Sequence, residues 1–435
     1  MINQFSFNYT YKNKEVNIKK NIPSSSDLSF LRDIKYFIQR DIYNIACSVF
    51  ILEKIIKKNR FIEKVIIPIS SKTYKKINVK SVEDNIQKLF VKIIHSEIRI
   101  ELKEEKPVFT KVRKKSNFTK ADAICLFSGG IDSFSGILTA KKEFKKILPL
   151  FIAHSDQQGM ISIVNKMNND FLKGKGLGIK TLHAPAINKG GYSQLRGFLY
   201  FMLAGMYASL SKTNKIIVTE CGPTMYQPRF APMDEITFTT HPWVLTHVKK
   251  ILSEFLGEME IITPFENLTK AEVISVCPDK SLLSKTHSCI TQRNRDHDGT
   301  CYGCVIRRLG TLVAGVDDVT YNYDVLSKDD NSIRSDGFVS LIKICYYILF
   351  DYENLADYTK ENIEVFQKRD LFRRFALDNY SALFVYYNQM NKQECSFIKD
   401  FYSKALKNLG ANIFKQRINE IRNNPTKPDF NKRVK

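Results

Sequence analysis

The sequence predicts an α/β protein organised on a doubly wound parallel sheet, preceded by a small N-terminal α+β domain and followed by a helical extension. Three observations carry this reading. From Ala123 to about Gly310, apolar runs of strand length alternate with apolar-periodic stretches of helix length, the pattern of βαβ units. The first of these runs ends in Ser128-Gly129-Gly130 where a helical pattern opens near Asp132-Ser133, so a glycine turn sits at a helix N-terminus. The flanks read differently: period-two alternation at the start of the chain, and aromatic residues at helical spacing after residue 313. At 435 residues the chain is long enough for two or three full-sized cores, and 43% apolar with 26% charged residues is a globular composition.

Residues 1–118 form the first expected domain. Phe5, Phe7 and Tyr9 alternate as a strand, and Val16 and Ile18 supply a second strand for a hairpin. A helix is expected after Ser24–Asp27, with Leu28, Leu31, Ile34, Ile38, Ile42, Ile45 and Val49 on one face. Val65–Ile69 reads as a strand, placed at a sheet edge because Pro68 has no N–H to give to a ladder. A helix near 82–94 and a strand through Ile98, Ile100 and Leu102 close the unit. His95 reads as a surface or boundary residue, and Lys111–Asn117 as a solvated linker.

Residues 119–312 form the central domain. Strands are expected at Ala123–Phe127, Ile147–Ile152, Lys180–Ala184, Ile216–Thr219 and Ile261–Thr263, with helices near 133–142, 159–172, 194–210, 243–256 and 270–276. Ligands of such sheets bind beyond the carboxyl ends of the strands, which places the Ser-Gly-Gly turn, His154–Gln158, Glu220–Pro223 and Pro264–Glu266 on one rim. Thr224–Pro242 reads as a substrate loop over that rim. The turn is an anion site. Gly129 and Gly130 let backbone approach a phosphate, Ser128, Ser133 and the free N–H groups of the first helical turn are donors, and Asp132 can hold Mg2+. The stretch lacks the Gly-Lys-Ser/Thr of a Walker loop and the third glycine of a dinucleotide fingerprint.

Residues 313–435 are expected to be a helical bundle. Tyr346, Tyr347, Phe350, Phe366, Phe372, Phe375, Phe384, Tyr386 and Tyr387 recur at helical spacing as core, and Lys427–Lys435 reads as a disordered basic tail. Phe338–Phe350, the longest apolar run, is broken by Lys343 and falls short of the roughly 18 residues that span a bilayer. With no secretory leader in the alternating pattern after Met1, a cytoplasmic protein without membrane contact is expected. The net charge of +22 suits nucleic acid or nucleotides, yet the lysines are scattered and read equally well as solvated faces.

The chain has nine cysteines, four of them at 277, 289, 301 and 304. Clustering of this kind points to metal rather than disulfides. Cys289-x11-Cys301-x2-Cys304 offers three thiolates, and the two-residue knuckle lets Cys301 and Cys304 meet one ion.

Ser128-Gly129-Gly130-Ile131-Asp132-Ser133 resembles the signature of the PP-loop ATP pyrophosphatases, which split ATP between its α and β phosphates. His297–Arg307, with Cys289 before it, resembles the zinc segment of the 7-cyano-7-deazaguanine synthases (QueC). Thr263-Pro264-Phe265-Glu266-Asn267-Leu268-Thr269-Lys270-Ala271-Glu272 resembles a second motif of that family, in which Thr269 and Glu272 form a capping box that leaves Lys270 to face phosphate. Arg196 stands where the family has an arginine before an apolar helix. The likeness covers roughly residues 122–312. Two departures stand out. Asp298 occupies the place of a zinc cysteine, so the fourth ligand is Asp298 first, with His297 or Cys277 as alternatives. The flanking units make the chain resemble the long QueC-like proteins of antiphage defence operons, of the QatC type.

The resemblance implies an ATP-dependent ligase or synthase. It implies a 7-carboxy-7-deazaguanine substrate, Zn2+ at Cys289, Asp298, Cys301 and Cys304, and Mg2+ and ATP at Ser128, Gly129, Gly130, Asp132 and Ser133. Lys270 and Arg196 would face phosphate charge, with Arg307 either joining them or bracing the zinc loop. The amine acceptor is expected to be a protein encoded nearby, with ammonia and RNA as alternatives.

Overall fold

The computed structural model describes residues 4–12, 14–21, 26–58, 62–106, 117–154, 157–185, 193–226, 238–290, 296–327, 336–353, 355, 367–390, 392 and 395–435. Five strands form the central sheet: β5 (Ala123–Leu126), β6 (Ile147–His154), β7 (Lys180–Ala184), β8 (Lys215–Ile217) and β9 (Glu260–Ile262). They pair in parallel throughout, in the order β7-β6-β5-β8-β9. The chain starts in the middle, moves outward to one edge, then returns and moves to the other. Right-handed crossovers therefore place helices on both faces, and the switch point falls between β5 and β8. The helices of these crossovers are α4 (Ile131–Glu143), α5 (Gln158–Met167), α6 (Arg196–Leu210) and α8 (Pro242–Leu256), with a short α7 (Gly222–Tyr226) between the last two. The expected α/β fold with a parallel sheet is the observed one.

Before this sheet, β1 (Gln4–Tyr11), β2 (Lys14–Asn21), β3 (Ile62–Ser70) and β4 (Arg99–Glu105) form a second sheet in the order β2-β1-β3-β4. The β1–β2 hairpin is as expected. The placement of Pro68 at an edge strand is corrected, because β3 is internal. Its pairing with β1 ends at Ile66, whereas parallel β4 runs alongside it from Lys64 to Ser70, so Pro68 lies beyond the β1 ladder and no bond to β1 is missing its donor. The long helix α1 (Phe37–Lys58) begins later than apolar spacing suggested. Asp33 caps a separate short turn by accepting from the Lys35 N–H, which ends the first helical stretch. Short α2 (Ser71–Tyr74) and α3 (Val79–Leu89) complete this unit.

Helix α6 explains how the two sheets join. Its sequence, RGFLYFMLAGMYASL, is apolar on every side, as a helix must be when it is covered all round. It packs on the central sheet, on α8 and on α1 of the N-terminal unit. One continuous apolar core therefore runs through all three expected domains.

Past β9 come α9 (Lys270–Ser275), α10 (Tyr302–Ala314), α11 (Asp336–Phe350), α12 (Arg369–Phe384), α13 (Ser396–Leu409) and α14 (Ala411–Asn423). The helical bundle is as expected, with Phe372, Phe375, Phe384, Tyr386 and Tyr387 buried and Tyr346, Tyr347 and Phe350 half-buried against the core; Phe366 lies outside the described residues. The expectation of a disordered tail is corrected. The last residues return along the sheet edge: the Val434 N–H donates to Ile261 O (2.9 Å), Thr263 N–H to Lys432 O (3.2 Å) and Asp429 N–H to Pro264 O (3.0 Å). This covers an edge strand that would otherwise present unpaired backbone. Among the described residues, no helix is long and apolar enough to cross a membrane.

Candidate functional site

The Ser-Gly-Gly turn leaves β5 at the switch point. Gly129 has φ +87°, a left-handed conformation that excludes other residues at low energy, and its position is closed in by Val164. Gly130 is different. Its φ of −81° suits any residue, and a Cβ there would meet nothing closer than Ser128 Oγ at 3.5 Å. Its lack of a side chain has no reason in the protein's own packing, and it leaves space before the first turn of α4. That turn has no side-chain cap, so its N–H groups point out of the turn without one. Ser133 Oγ donates to Gly130 O (3.0 Å) and accepts from the Ser128 N–H (3.2 Å), holding the turn closed from within.

Asp132 is buried beneath the turn. Its Oδ2 accepts from Lys270 Nζ at 2.6 Å and from the Cys221 N–H at 3.2 Å. Oδ1 has no hydrogen-bond donor among the described residues. The Glu220 carboxyl and Cys221 Sγ come close enough for all three side chains to offer ligand atoms within 4.8 Å of one another. Burial alone would raise the Asp132 carboxyl, but the Lys270 ammonium overrides it and leaves it below its ordinary value. Burial pushes Glu220 well above the usual carboxylate range, and the Asp132 charge pushes it further. Two carboxyls face each other here, and the Glu220 carboxyl can hydrogen-bond to Asp132 only in its protonated form. A proton or a cation has to fill that gap.

Lys270 is the first residue of α9, held by the expected capping box: Thr269 Oγ1 accepts from the Glu272 N–H at 3.3 Å, and Glu272 Oε2 from the Thr269 N–H at 2.9 Å. In this structure the Lys270 ammonium is paired with Asp132 at the foot of the turn. Burial would lower it, but Asp132, Cys221 and Glu220 keep it charged. Arg196 starts α6, which packs on β5, β8 and β6. Its guanidinium lies 5.9 Å from the Tyr200 ring centroid, and Tyr200 in turn meets His154 Nε2 at 3.0 Å. No described hydrogen bond or ion pair joins Arg196 to Asp132 or Lys270. Ser155 and Asp156 lie outside the described residues, as does most of the expected substrate loop.

The second constellation assembles as spacing suggested. Cys289, Asp298, Cys301 and Cys304 are buried with ligand atoms within 4.8 Å of one another. Tetrahedral zinc with bonds of about 2.3 Å to sulfur requires thiolates about 3.8 Å apart. The Cys289 and Cys301 sulfurs are separated by 3.8 Å. This set can bind a metal, and Asp298 is the fourth member. The two alternatives are otherwise engaged: His297 Nε2 accepts from the Ser288 N–H (3.1 Å), and the Cys277 thiol contacts Asp279 O (3.5 Å). Among the described residues only Asp298 of the three groups with the cysteines.

This cluster is tied to the turn. The His287 N–H, two residues before Cys289, donates to Gly129 O at 2.8 Å. Arg307 is a brace for the same segment: fully buried, it pairs with Asp318 (2.7 Å) and donates to the carbonyls of Thr286 (2.8 Å) and Leu283 (2.9 Å). No family model matches the chain.

Two groups escaped sequence reasoning. Glu220 was visible only as a rim residue, because nothing in its neighbourhood announces that the chain will bring it to Asp132. Glu53 was hidden on the apolar helix α1. Fully buried, its carboxylate accepts from Ser193 Oγ (2.5 Å), Gln194 N–H (2.7 Å) and Leu195 N–H (3.0 Å), and so ties down the segment that leads into α6 and Arg196. A lone acid in an apolar helical stripe was the available signal.

Proposed function

We propose that this protein activates a carboxylate with ATP and transfers the acyl group to an amine, the substrate being a 7-carboxy-7-deazaguanine. The observation that carries the reading is the Ser128–Ser133 turn at the start of α4, set at the switch point with Asp132, Glu220 and Lys270 directly beneath it. An uncapped helix N-terminus attracts phosphate oxygens, and buried Asp132 with half-buried Glu220 beside it suits the metal that accompanies them. The substrate identity rests on the likeness of Thr263–Glu272 and His297–Arg307 to the QueC motifs.

In this mechanism the substrate carboxylate attacks the α-phosphorus, the Pα–O–Pβ bond breaks, and pyrophosphate leaves with the bonding pair. The N–H groups of Gly130 to Ser133 receive its charge. Mg2+ held by Asp132 and Glu220 would neutralise more of it. Lys270, 2.6 Å from Asp132, is the cation proposed to meet phosphate charge beside the turn. An amine then attacks the acyl carbon, AMP departs, and an amide results. Cys289, Asp298, Cys301 and Cys304 would hold Zn2+ in a structural role, keeping the 286–289 segment against Gly129.

The acceptor is assigned to a protein amine. The test supplies ATP, Mg2+ and 7-carboxy-7-deazaguanine, then compares ammonia with the proteins encoded beside this one, using intact mass spectrometry. A deazaguanine mass gain on a partner protein is the expected result. Conversion of the acid by ammonia alone, with no protein modified, would replace this reading by a small-molecule synthase, and no consumption of the acid would reject both.

A further inference from the structure

Lys270 emerges from a helix of only six residues, α9, too short to fix its own position. Its capping acid, Glu272, has no solvent exposure, so its charge must be answered within the protein. The answer comes from the C-terminal unit. Arg374 of α12 donates to both Glu272 oxygens at 2.5 Å, and Arg417 of α14 donates to Oε1 at 2.7 Å. Arg417 also pairs with Asp378 of α12 at 2.7 Å, and Asp378 accepts from Thr269 Oγ1, the other half of the capping box, at 2.5 Å. The two arginines thus hold both halves of the capping box around the first turn of α9, with Asp370 and Glu420 as their outer partners. From the other side, α10 approaches so closely at Gly310 that a Cβ there would lie 3.0 Å from Lys270 Cγ.

We propose that α12 and α14 form a clamp that holds α9 in the position from which Lys270 reaches Asp132, with Arg374 and Arg417 as positioning residues. A capping box needs no partner to form, so an arginine pair from a separate helical unit has a different consequence. It makes the C-terminal unit part of the apparatus that delivers this lysine. The inference rests on the proposed role of Lys270 only for its meaning in catalysis, and its test does not require turnover.

The test is acylation of the full chain with a small amine reagent, following Lys270 by peptide mass spectrometry. In the parent protein the buried, carboxylate-paired ammonium should label slowly. Arg417→Met should raise the Lys270 rate about tenfold, the effect of lowering its affinity for a proton by one pKa unit. A control, Ile67→Val in the N-terminal sheet, lowers stability at a distance from α9 and should leave Lys270 protected. Arg417→Lys, which keeps the charge and loses the fork, should fall between. Should Arg417→Met fail to fold, Arg374→Gln at the more exposed end of the network replaces it. Equal labelling of Lys270 in the control and the arginine variants, or unchanged protection in the latter, overturns the clamp. Absence of ATP chemistry would reject the proposed function and leave this result standing.

Discussion

Replacing Asp132 by Asn removes one charge from the Asp132, Glu220 and Lys270 group and makes a pH-dependent prediction. In the parent at pH 5, Asp132 is ionised against Lys270 at 2.6 Å, while Glu220, raised by burial and by Asp132, keeps its proton. Loss of the carboxylate then breaks a buried pair, and the destabilisation should approach the roughly 3–5 kcal/mol of such a loss. At pH 8 the balance changes. A carboxyl whose folded pKa lies above its unfolded value contributes stability below the unfolded pKa and loses it as pH rises through the folded one, by about 1.4 kcal/mol per unit of separation. The parent bears that loss at Glu220. In the variant, Glu220 no longer faces a like charge and can ionise against Lys270, so the loss is relieved. The difference between parent and variant should therefore shrink from pH 5 to pH 8. Urea denaturation at both pH values, without divalent metal, measures it. Adding millimolar Mg2+ at pH 8 should stabilise the parent and not the variant. A difference that is constant or grows with pH would refute the proton-sharing arrangement.

Other outcomes follow from particular contacts. Cys301→Ser should lower bound zinc from one per chain and reduce stability, and because His287 contacts Gly129, zinc removal from the parent should also weaken ATP binding; metal analysis and calorimetry check both. Glu53→Ala strips the segment before α6 of a buried carboxylate acceptor and should destabilise by about 2–4 kcal/mol in thermal or urea unfolding. Gly129→Ala should cost about 1–2 kcal/mol from its left-handed backbone, whereas Gly130→Ala should leave stability nearly unchanged and weaken ATP binding. His247, pushed down to about 4 by burial and by Lys250, Lys88 and Lys92, contributes stability above its unfolded pKa that is lost as pH falls from about 6.5 toward 4; His247→Gln should flatten that part of the acid unfolding profile.

What the sequence made legible was local. The five expected strands and five expected helices of the central domain stand within a few residues of their predicted positions, because period and length report directly on a buried sheet flanked by helices, whereas α7 and α10 were not foreseen. The Cys289, Cys301 and Cys304 grouping followed from spacing, and a capping box can be read from four letters. Long-range contacts were illegible. Glu220 meets Asp132 only because β8 lies beside β5, and the Lys270–Asp132 pair joins residues 138 apart in sequence. Lys427–Lys435 looked like a solvated tail since its lysines and arginine dominate the composition, yet Val434 and the backbone of Lys432 find partners on the exposed edge of β9. The flanking units anchor the site: Glu53 secures the start of α6 and the arginines of α12 and α14 secure α9.

The most direct test of ATP activation at this site is isotope exchange between pyrophosphate and ATP. Purified protein is given ATP, Mg2+, labelled pyrophosphate and 7-carboxy-7-deazaguanine, with no amine present. Label should enter ATP only when the carboxylate is supplied, and exchange should fall by several orders of magnitude in Asp132→Asn. Exchange that is absent, that ignores the carboxylate, or that survives in Asp132→Asn would contradict the account, as would the appearance of ADP and phosphate in place of AMP and pyrophosphate.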